Sequence, residues 1–308
     1  MITALFADRP ANWVAYEAPL RTAFADAGLD VNLVSEADPA TVDYVIYAPA
    51  SGLQDFTPFT RLKAVLSLWA GVETIQSNAT IRVPLCRMVD SGLAEGMRDY
   101  VTGHILRYHL GMDAQAQDGV WRNDVVPPLA RDRVVGFLGL GELGQTCAIA
   151  AAGLGFQVLG WGRRLKSIDG VTCIAGEDGL RQVLAQADIL VLLLPDTSET
   201  ENLLNAETLA MLPKGARIIN PGRGTLIDDG ALLDALETGQ VGGATLDVFR
   251  EEPLPANHPY WAHPNVTVTP HIASETRPET AALTIAENIR RMEAGEPLLH
   301  VVDRVAGY

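Results

Sequence analysis

The sequence is poor in cysteine. Its 308 residues include three, Cys86, Cys147 and Cys173, which are scattered along the chain without pair spacing. This argues against a disulfide framework or a zinc site, both of which need paired or clustered ligands. The histidines other than His271 show no metal-ligand spacing with cysteine or carboxylates, so we expect no metal centre. Isolated thiols fit a reducing compartment, and we expect a cytoplasmic protein.

Basic residues are also scarce. The chain has 23 Lys and Arg against 38 Asp and Glu, a formal net charge of −15. Proteins that bind nucleic acid usually present a basic surface, so we expect no nucleic-acid partner. Long apolar runs are missing too, and a typical one, "ILVLLLP" at 189–195, is far too short to span a bilayer. The first residues, "MITALFADRP", lack a basic region and reach a charge at Asp8, which argues against a signal peptide.

Hydrophobic residues make up 48% of the chain, enough for more than one core, and the length suggests two domains. Strand and helix patterns alternate over the first third of the sequence. A polar stretch with a proline pair, "DAQAQDGVWRNDVVPPLARD" at 113–132, indicates a boundary or an extended arm. From Val134 the alternation resumes more clearly, with continuous apolar strands between helices. This pattern is typical of doubly wound parallel sheets that are buried on both faces.

A glycine-rich turn follows the strand that begins near Val134. The sequence "GLGELG" places Gly139, Gly141 and Gly144 in the G-x-G-x-x-G spacing, after a strand and at the start of a helix. In that context the first glycine permits the tight turn, the second lets backbone approach a pyrophosphate, and the third lets the helix pack on the strand. The free N–H groups at the helix start favour phosphate. We therefore predict a dinucleotide site.

The next strand ends in "GWGRRLKS", where a site for NAD usually carries an acidic residue for the ribose hydroxyls. Here Arg163 and Arg164 stand at that place, with Lys166 close behind. Guanidinium groups bind phosphate through paired hydrogen bonds, so the cluster favours the 2′-phosphate of NADPH over NADH. The alternative is that these are ordinary solvated surface cations.

Three further polar residues follow late strands. Arg223 lies in "NPGRG", Glu252 in "DVFREEPLP" and His271 in "TPHIAS", each just after a predicted strand. Loops at one edge of a parallel sheet converge, and that edge is where open α/β sheets bind ligands. Taken singly, Arg223 could be a solvated loop arginine and His271 a packed histidine beside a proline. Their joint placement favours a catalytic site.

These motifs, with "AGVETI" and "LLLPDTSET", occur in the order found in the D-isomer-specific 2-hydroxyacid dehydrogenases, and the chain resembles that family essentially end to end. It is most similar to the bacterial glyoxylate/hydroxypyruvate reductase A group, including the ending "VDRVAGY". The resemblance implies an α/β fold of two doubly wound parallel-sheet domains. A Rossmann nucleotide-binding domain (99–273) is inserted into a flavodoxin-like catalytic domain (1–98 and 274–308).

The resemblance also implies roles for individual residues. The family's catalytic arginine, glutamate and histidine fall on Arg223, Glu252 and His271. Arg223 would bind the carboxylate and ketone of a 2-oxo acid, and His271, as imidazolium, would protonate the keto oxygen while Glu252 orients it. Substrate-binding candidates are Tyr47, Trp69, Ala70, Gly71 and Val72. Cofactor-binding candidates are Gly139, Leu140, Gly141, Glu142, Leu143, Gly144, Arg163, Arg164, Lys166, Pro195, Thr197, Asp247 and Ser274.

Two departures from the family pattern bear on the substrate pocket. The family often has glycine where Trp69 stands, so the indole either reshapes the pocket or packs into the core. "NPGRG" replaces a commoner form of the motif but keeps Arg223 in register. Trp121 falls in the arm that crosses a dimer in relatives, so the resemblance implies a homodimer.

We therefore expect an NADPH-dependent reductase of small 2-oxo acids such as glyoxylate and hydroxypyruvate. Another enzymatic interpretation is a D-3-phosphoglycerate or other D-2-hydroxyacid dehydrogenase. A non-enzymatic one is a dinucleotide-sensing scaffold like the corepressors that share this fold, against which the intact Arg, Glu and His argue.

Overall fold

The structure is a computed structural model that describes residues 1–114, 119–121, 123 and 126–304. It divides into two compact units. The terminal unit combines Met1–Leu93 with the chain from Glu275 onward, and the central unit is Ala94–Ser274. None of the helices in the described ranges is long and apolar enough to cross a membrane.

Strands and helices alternate along the described residues. The strands are β1 (Ile2–Ala7), β2 (Val31–Val34), β3 (Tyr44–Tyr47), β4 (Ala64–Ser67), β5 (Leu85–Cys86), β6 (Val134–Leu138), β7 (Gln157–Gly162), β8 (Thr172–Ala175), β9 (Ile189–Leu192), β10 (Ala216–Asn220), β11 (Val241–Leu246) and β12 (Val266–Val268). The helices are α1 (Pro10–Asp26), α2 (Ser91–His109), α3 (Glu142–Gly153), α4 (Gly176–Leu184), α5 (Ala206–Ala210), α6 (Asp229–Glu237) and α7 (Pro278–Glu293).

The terminal unit is built on a parallel five-stranded sheet with the order β2-β1-β3-β4-β5. This is the order of flavodoxin-like doubly wound sheets. Helices α1 and α7 pack against each other on this unit. Pro10 begins α1, where a missing N–H costs nothing, and Gly28 follows its end at φ 68°, a conformation that suits glycine.

The central unit is built on a parallel seven-stranded sheet with the order β12-β11-β10-β9-β6-β7-β8. Chain order reverses between β6 and β9, which lie side by side and are followed by different helices. This is the topological switch point, the place where open α/β sheets bind ligands beyond the carboxyl ends of their strands. The glycine-rich turn after β6 and the loop after β9 therefore lie at the expected binding edge.

The strands of the central sheet are buried on both faces because their apolar residues are continuous. In β9, Leu190 and Leu192 belong to one core cluster, while Ile189 and Val191 belong to the cluster on the other side. Alternate residues of a strand point to opposite faces, so an uninterrupted apolar strand serves two cores. Full burial of each such side chain contributes roughly 1.5–3 kcal/mol relative to exposure.

The predicted α/β class with two parallel sheets is confirmed. Sequence patterns missed two strands, β5 and β8. Strand β5 has two residues, and β8 is an edge strand that pairs only with β7 in the described sheet. The polar arm at 113–132 falls partly outside the described residues, as does the end of the "VDRVAGY" motif.

Candidate active site

The glycine-rich turn after β6 has the shape of a phosphate cradle. Gly139 has φ 103°, and a Cβ there would lie 2.4 Å from the Leu193 carbonyl oxygen. A Cβ on Gly144 would lie 2.0 Å from the Gly139 carbonyl oxygen, so both positions exclude larger residues. Gly141, the residue before α3, has nothing within 4 Å of an added Cβ. That open space at a helix N-terminus fits a pyrophosphate group.

The other residues of this turn divide by burial. Leu140 is buried and packs against Gly160 of β7, where a Cβ would lie 2.7 Å from the leucine Cδ2. Glu142 is exposed in the first turn of α3, and Leu143 is half-buried. The leucines therefore support the turn through packing, and a dinucleotide would meet the backbone here.

The cationic loop after β7 is tied to the glycine-rich turn. The Lys166 ammonium donates a hydrogen bond to the Leu140 carbonyl at 2.6 Å. Arg163 and Arg164 are exposed beside it. The structure thus gives Lys166 a contact with protein backbone that the sequence did not suggest, and it leaves the two arginine side chains at the solvent-facing end of β7.

The loop after β9 is stabilised by its own hydroxyls. Thr200 Oγ1 donates to the Pro195 carbonyl at 2.7 Å and accepts from the Thr197 backbone N–H at 3.0 Å. This loop begins directly after Leu193, whose carbonyl lies against Gly139. Pro195 and Thr197 are therefore held at the switch point, next to the cradle.

Arg223 lies in the turn after β10, and the buried side chain of Asn220 shapes that turn. Asn220 Nδ2 donates to the Arg223 carbonyl at 2.9 Å, and Asn220 Oδ1 accepts from the Gly222 N–H at 3.1 Å. The Arg223 guanidinium donates to the Gly222 carbonyl at 2.7 Å. Asn220 was not among the predicted site residues, although it opens the "NPGRG" motif. Its amide fixes the backbone from which Arg223 extends.

The turns after β10 and β11 are in direct contact. A Cβ added to Gly224 would lie 2.0 Å from the carbonyl carbon and 2.4 Å from the carbonyl oxygen of Phe249. Only glycine permits this approach, because both contacting groups are backbone. Arg223 and Glu252 are therefore carried by two turns that touch beside the sheet edge.

The loop after β12 is organised by the fully buried carboxylate of Asp247. Asp247 Oδ1 accepts from Thr269 Oγ1 at 2.6 Å and from the Ile272 N–H at 2.9 Å, and Oδ2 accepts from the Ala273 N–H at 2.8 Å. The His271 N–H donates to the Asp247 carbonyl at 2.8 Å. His271 itself has φ 55°, a conformation that costs a non-glycine residue roughly 1–3 kcal/mol. Asp247 thus stabilises the strained turn that presents His271.

His271 and Glu252 form a close pair. The distance from His271 Nδ1 to Glu252 Oε2 is 2.7 Å, and the second glutamate oxygen accepts from the Phe249 N–H at 2.9 Å. The histidine side chain is 54% exposed and the glutamate 35%, so the pair is accessible to a ligand. Because Nδ1 is engaged by the carboxylate, the ring's Nε2 is the nitrogen positioned to exchange a proton with a bound molecule.

The remaining predicted residues are distributed between the two units. Ser274 is half-buried against Gly96 of α2, where a Cβ would lie 2.7 Å from the serine Oγ. Tyr47 belongs to the core of the terminal unit, is 2% exposed, and donates its hydroxyl to the Leu53 carbonyl at 3.3 Å. A substrate contact by Tyr47 stays a prediction, and the structure gives this residue a packing role.

The loop 69–72 of the terminal unit begins with a half-exposed indole. The Trp69 side chain is not in the core, and its backbone N–H donates to Ser67 Oγ at 3.0 Å. Val72 is buried, and Ala70 and Gly71 are half-buried. Across the described residues, no acceptor receives a hydrogen bond from the backbone N–H groups of Ala70, Gly71 or Val72.

Comparisons with known proteins identify the family of this chain. The family model described as the D-isomer specific 2-hydroxyacid dehydrogenase NAD binding domain matches residues 102–273. Glyoxylate/hydroxypyruvate reductase A of Yersinia enterocolitica is 42% identical over 259 residues, which cover 80% of this chain and 82% of the relative.

Two solved structures are similar over the full length. A D-isomer specific 2-hydroxyacid dehydrogenase from Xanthobacter autotrophicus Py2, in complex with NADPH and MES, is 41% identical with a TM-score of 0.91, covering 100% of this chain and 99% of that one. An NADPH-dependent glyoxylate/hydroxypyruvate reductase from Sinorhizobium meliloti, in complex with NADP and sulfate, is 35% identical with a TM-score of 0.86 and the same coverage. The predicted family is confirmed: the chain belongs to the D-isomer specific 2-hydroxyacid dehydrogenases, oxidoreductases that use NAD(P).

Proposed function

We propose that this protein catalyses the NADPH-dependent reduction of small 2-oxo acids, with glyoxylate and hydroxypyruvate as the preferred substrates. The observation that carries the proposal is the 2.7 Å pair between His271 Nδ1 and Glu252 Oε2. This pair lies on the loops after β11 and β12, and Arg223 lies on the turn after β10. These three strands are neighbours in one parallel sheet.

Arg223 binds the substrate in this proposal. A 2-oxo acid carries a carboxylate and a ketone oxygen on adjacent carbons, and a planar guanidinium can donate to both. The same hydrogen bonds orient the acid and polarise its carbonyl. Asn220 holds this turn through one hydrogen bond to the Arg223 carbonyl and one from the Gly222 N–H, and the guanidinium donates to the Gly222 carbonyl, so it is placed before the substrate arrives.

His271 supplies the proton. When bound, the nicotinamide of NADPH supplies the hydride that reaches the carbonyl carbon. The keto oxygen then gains negative charge, and the imidazolium of His271 transfers the Nε2 proton to it, which completes the 2-hydroxy acid. The carboxylate of Glu252 accepts the Nδ1 hydrogen bond, fixes the orientation of the ring and stabilises its positive charge. In the reverse direction the same nitrogen accepts the proton.

The cofactor preference rests on the end of β7. Arg163 and Arg164 occupy the position where an acid would bind the ribose hydroxyls of NADH, and both are exposed to a ligand. The solved relatives from Xanthobacter and Sinorhizobium, which hold NADPH or NADP, support the same choice. Gly141 and the N-terminus of α3 would take the pyrophosphate.

We assign the carboxylate end of the substrate to the loop 69–72 as well. Backbone N–H groups of Ala70, Gly71 and Val72 suit an anion, and the half-exposed Trp69 would limit the size of the acid. This supports short substrates.

We also propose a homodimer in the cytoplasm. Trp121 is 88% exposed, and the apolar residues Val126 and Leu129, which follow it along the chain, are exposed too. Such side chains mark an interaction surface. The three cysteines are free thiols, which fits a reducing compartment. A monomer by light scattering at micromolar concentration would contradict the dimer.

A steady-state screen tests the proposed reaction. The purified protein is given NADPH or NADH with glyoxylate, hydroxypyruvate, pyruvate or 3-phosphohydroxypyruvate. The proposal expects the highest kcat/KM with NADPH and glyoxylate or hydroxypyruvate. A preference for the phosphorylated acid would instead favour a phosphoglycerate dehydrogenase. Cofactor binding without turnover of any acid would favour the scaffold alternative.

The double variant Arg163→Ala with Arg164→Ala tests the cofactor assignment. Two charge-assisted contacts with the 2′-phosphate, roughly 1.5–3 kcal/mol each, favour NADPH by about 10²- to 10⁴-fold. We expect the double variant to lose this preference while NADH kinetics stay unchanged. Arg181→Ala, which removes an exposed arginine on α4 that pairs with Glu177, serves as the control. Equal loss of both cofactors in the double variant would refute a role in recognising the 2′-phosphate.

A further inference from the structure

Arg250 connects the loop that carries Glu252 to the turn that carries Arg223. It lies in the loop after β11, and its Nη2 donates to the Ile227 carbonyl at 2.7 Å and to the Thr225 carbonyl at 3.2 Å. The same nitrogen also donates to the side-chain oxygen of Asn202. The backbone of Arg250 therefore belongs to the loop after β11, while its guanidinium binds the segments after β9 and β10.

Two carboxylates surround this guanidinium. Arg250 Nε lies 3.6 Å from Asp229 Oδ2 at the start of α6, and Nη1 lies 3.7 Å from Glu201 Oε1. The arginine side chain is 32% exposed, so solvent weakens these ion pairs and the direct hydrogen bonds to carbonyls dominate. Asp229 is itself held by a 2.8 Å hydrogen bond from the buried Tyr260 hydroxyl. Asp229 is thus anchored to the core.

The carbonyls that Arg250 binds belong to the turn that presents Arg223. The Leu226 N–H donates to the Arg223 carbonyl at 3.3 Å, and the Ile227 N–H donates to the Gly224 carbonyl at 3.4 Å. Both of these hydrogen bonds are long, so the turn depends on outside contacts for its position. The Thr225 carbonyl also accepts from the Asn202 N–H at 2.9 Å, which places two donors on it.

We propose that Arg250 is a positioning residue that sets the spacing between Arg223 and the His271–Glu252 pair. This inference rests on the proposed function, in which one turn binds the substrate and the neighbouring loop transfers the proton. Arg250 does not touch the reacting atoms. It holds the two segments together through a planar fork of donors, which no other side chain supplies with the same geometry.

Two substitutions test this role. Arg250→Met keeps the apolar stem and removes every donor, whereas Arg250→Lys keeps one charge but cannot bind the carbonyls and carboxylates as a fork. A displacement of about 1 Å in a catalytic group costs about 10²-fold in rate, so we expect kcat with glyoxylate to fall by about 10- to 10²-fold in Arg250→Met. The KM for NADPH stays at the wild-type value, and Arg250→Lys recovers part of kcat.

The pH dependence of kcat separates positioning from simple structural support. If Arg250 holds Glu252 in place, Arg250→Met shifts the pH profile that His271 and Glu252 generate, and a loss of global stability alone leaves it unchanged. The control is Arg290→Met on α7. Arg290 pairs with Glu287 and Glu296 at 2.8 and 2.7 Å, and its side chain is 36% exposed, but it belongs to the terminal unit and touches none of these loops. It should keep the wild-type kcat and pH profile.

Amide hydrogen exchange of the wild type and both Arg250 variants gives a readout that needs no turnover. We expect faster exchange at Phe249, Leu226 and Ile227 in Arg250→Met, and not in Arg290→Met. Faster exchange in a protein that reduces no 2-oxo acid would leave the positioning role standing and reject the proposed function. Wild-type kcat, pH profile and exchange in Arg250→Met would reject the positioning role. If Arg250→Met fails to fold, the same measurements on Arg250→Lys decide.

Discussion

Replacing Gly224 with alanine perturbs the contact between the two catalytic turns by a single methyl group. The added Cβ would lie 2.0 Å from the carbonyl carbon of Phe249, 2.4 Å from its oxygen and 2.5 Å from the Arg250 nitrogen. All three are backbone atoms, so no side chain can rotate away. Gly224 does not have a positive φ, and the effect is therefore steric rather than conformational.

The required movement follows from those distances. Ordinary contact for a Cβ begins at 3.4 Å, so the distance of 2.0 Å must grow by about 1.4 Å. Forcing a methyl group into a packed site typically costs about 1–3 kcal/mol, and the rigid neighbours here place Gly224→Ala at the upper end. A shift of about 1 Å in a catalytic group lowers the rate about 10²-fold. We expect kcat/KM for glyoxylate to fall by about 10²-fold or more.

Urea unfolding and steady-state kinetics measure the two effects. Gly103→Ala is the matched control, because Gly103 is an exposed position inside α2 with nothing within 4 Å of an added Cβ. That change should keep the wild-type kcat and raise stability by roughly 0.5–1 kcal/mol, since alanine is the better helix former. A Gly224→Ala protein with wild-type stability and kcat/KM would refute the inferred contact between the turns.

Two further changes concern titrating groups. Glu252→Gln keeps the size of the side chain but removes the charge that stabilises the protonated ring of His271, so we expect a lower kcat and a shifted pH profile, and an unchanged profile would disconnect the two residues. Burial lowers the pKa of His104 in the folded protein below its ordinary value of 6.5. The free energy of unfolding is therefore highest above pH 6.5, where the ring is neutral in both states. It falls as the pH drops towards the lower folded pKa, because the unfolded chain binds the proton more readily. His104→Asn should therefore flatten the fall in unfolding free energy below pH 6.5, by at most about 1.4 kcal/mol per pH unit, and an unchanged slope in urea titrations would contradict this.

Much of the fold was predictable because strands such as β9 are uninterrupted apolar runs. Their burial can be inferred from the local sequence without knowing which elements pack against them. Strand β8 shows the limit. Its residues are half-buried or exposed, and it exists because β7 offers a pairing edge, which is a tertiary effect that the local sequence does not encode. Strand β5 is too short for any periodic pattern.

The site divides in the same way. The placement of Arg223, Glu252 and His271 after three neighbouring strands was predictable because each follows a recognisable strand within a motif, while their catalytic roles stay predictions. The contacts that hold these residues in place were not predictable, because they depend on distant loops that meet only in the folded chain. The expected contact of Asp247 with the cofactor stays a prediction, and the structure shows its fully buried carboxylate bound to the turn around His271. Phosphate binding by Lys166 also stays a prediction, and the structure shows its ammonium donating to the Leu140 carbonyl.

The central claim is that His271 donates the proton in the reduction of a 2-oxo acid. The most direct test is a single-turnover measurement of NADPH oxidation by glyoxylate, with the wild-type protein and His271→Ala compared after cofactor binding has been shown to be equal. Loss of a general acid lowers the rate of the chemical step by about 10²- to 10⁴-fold, and we predict a fall of that size. A His271→Ala protein that oxidises NADPH at the wild-type rate would contradict the account.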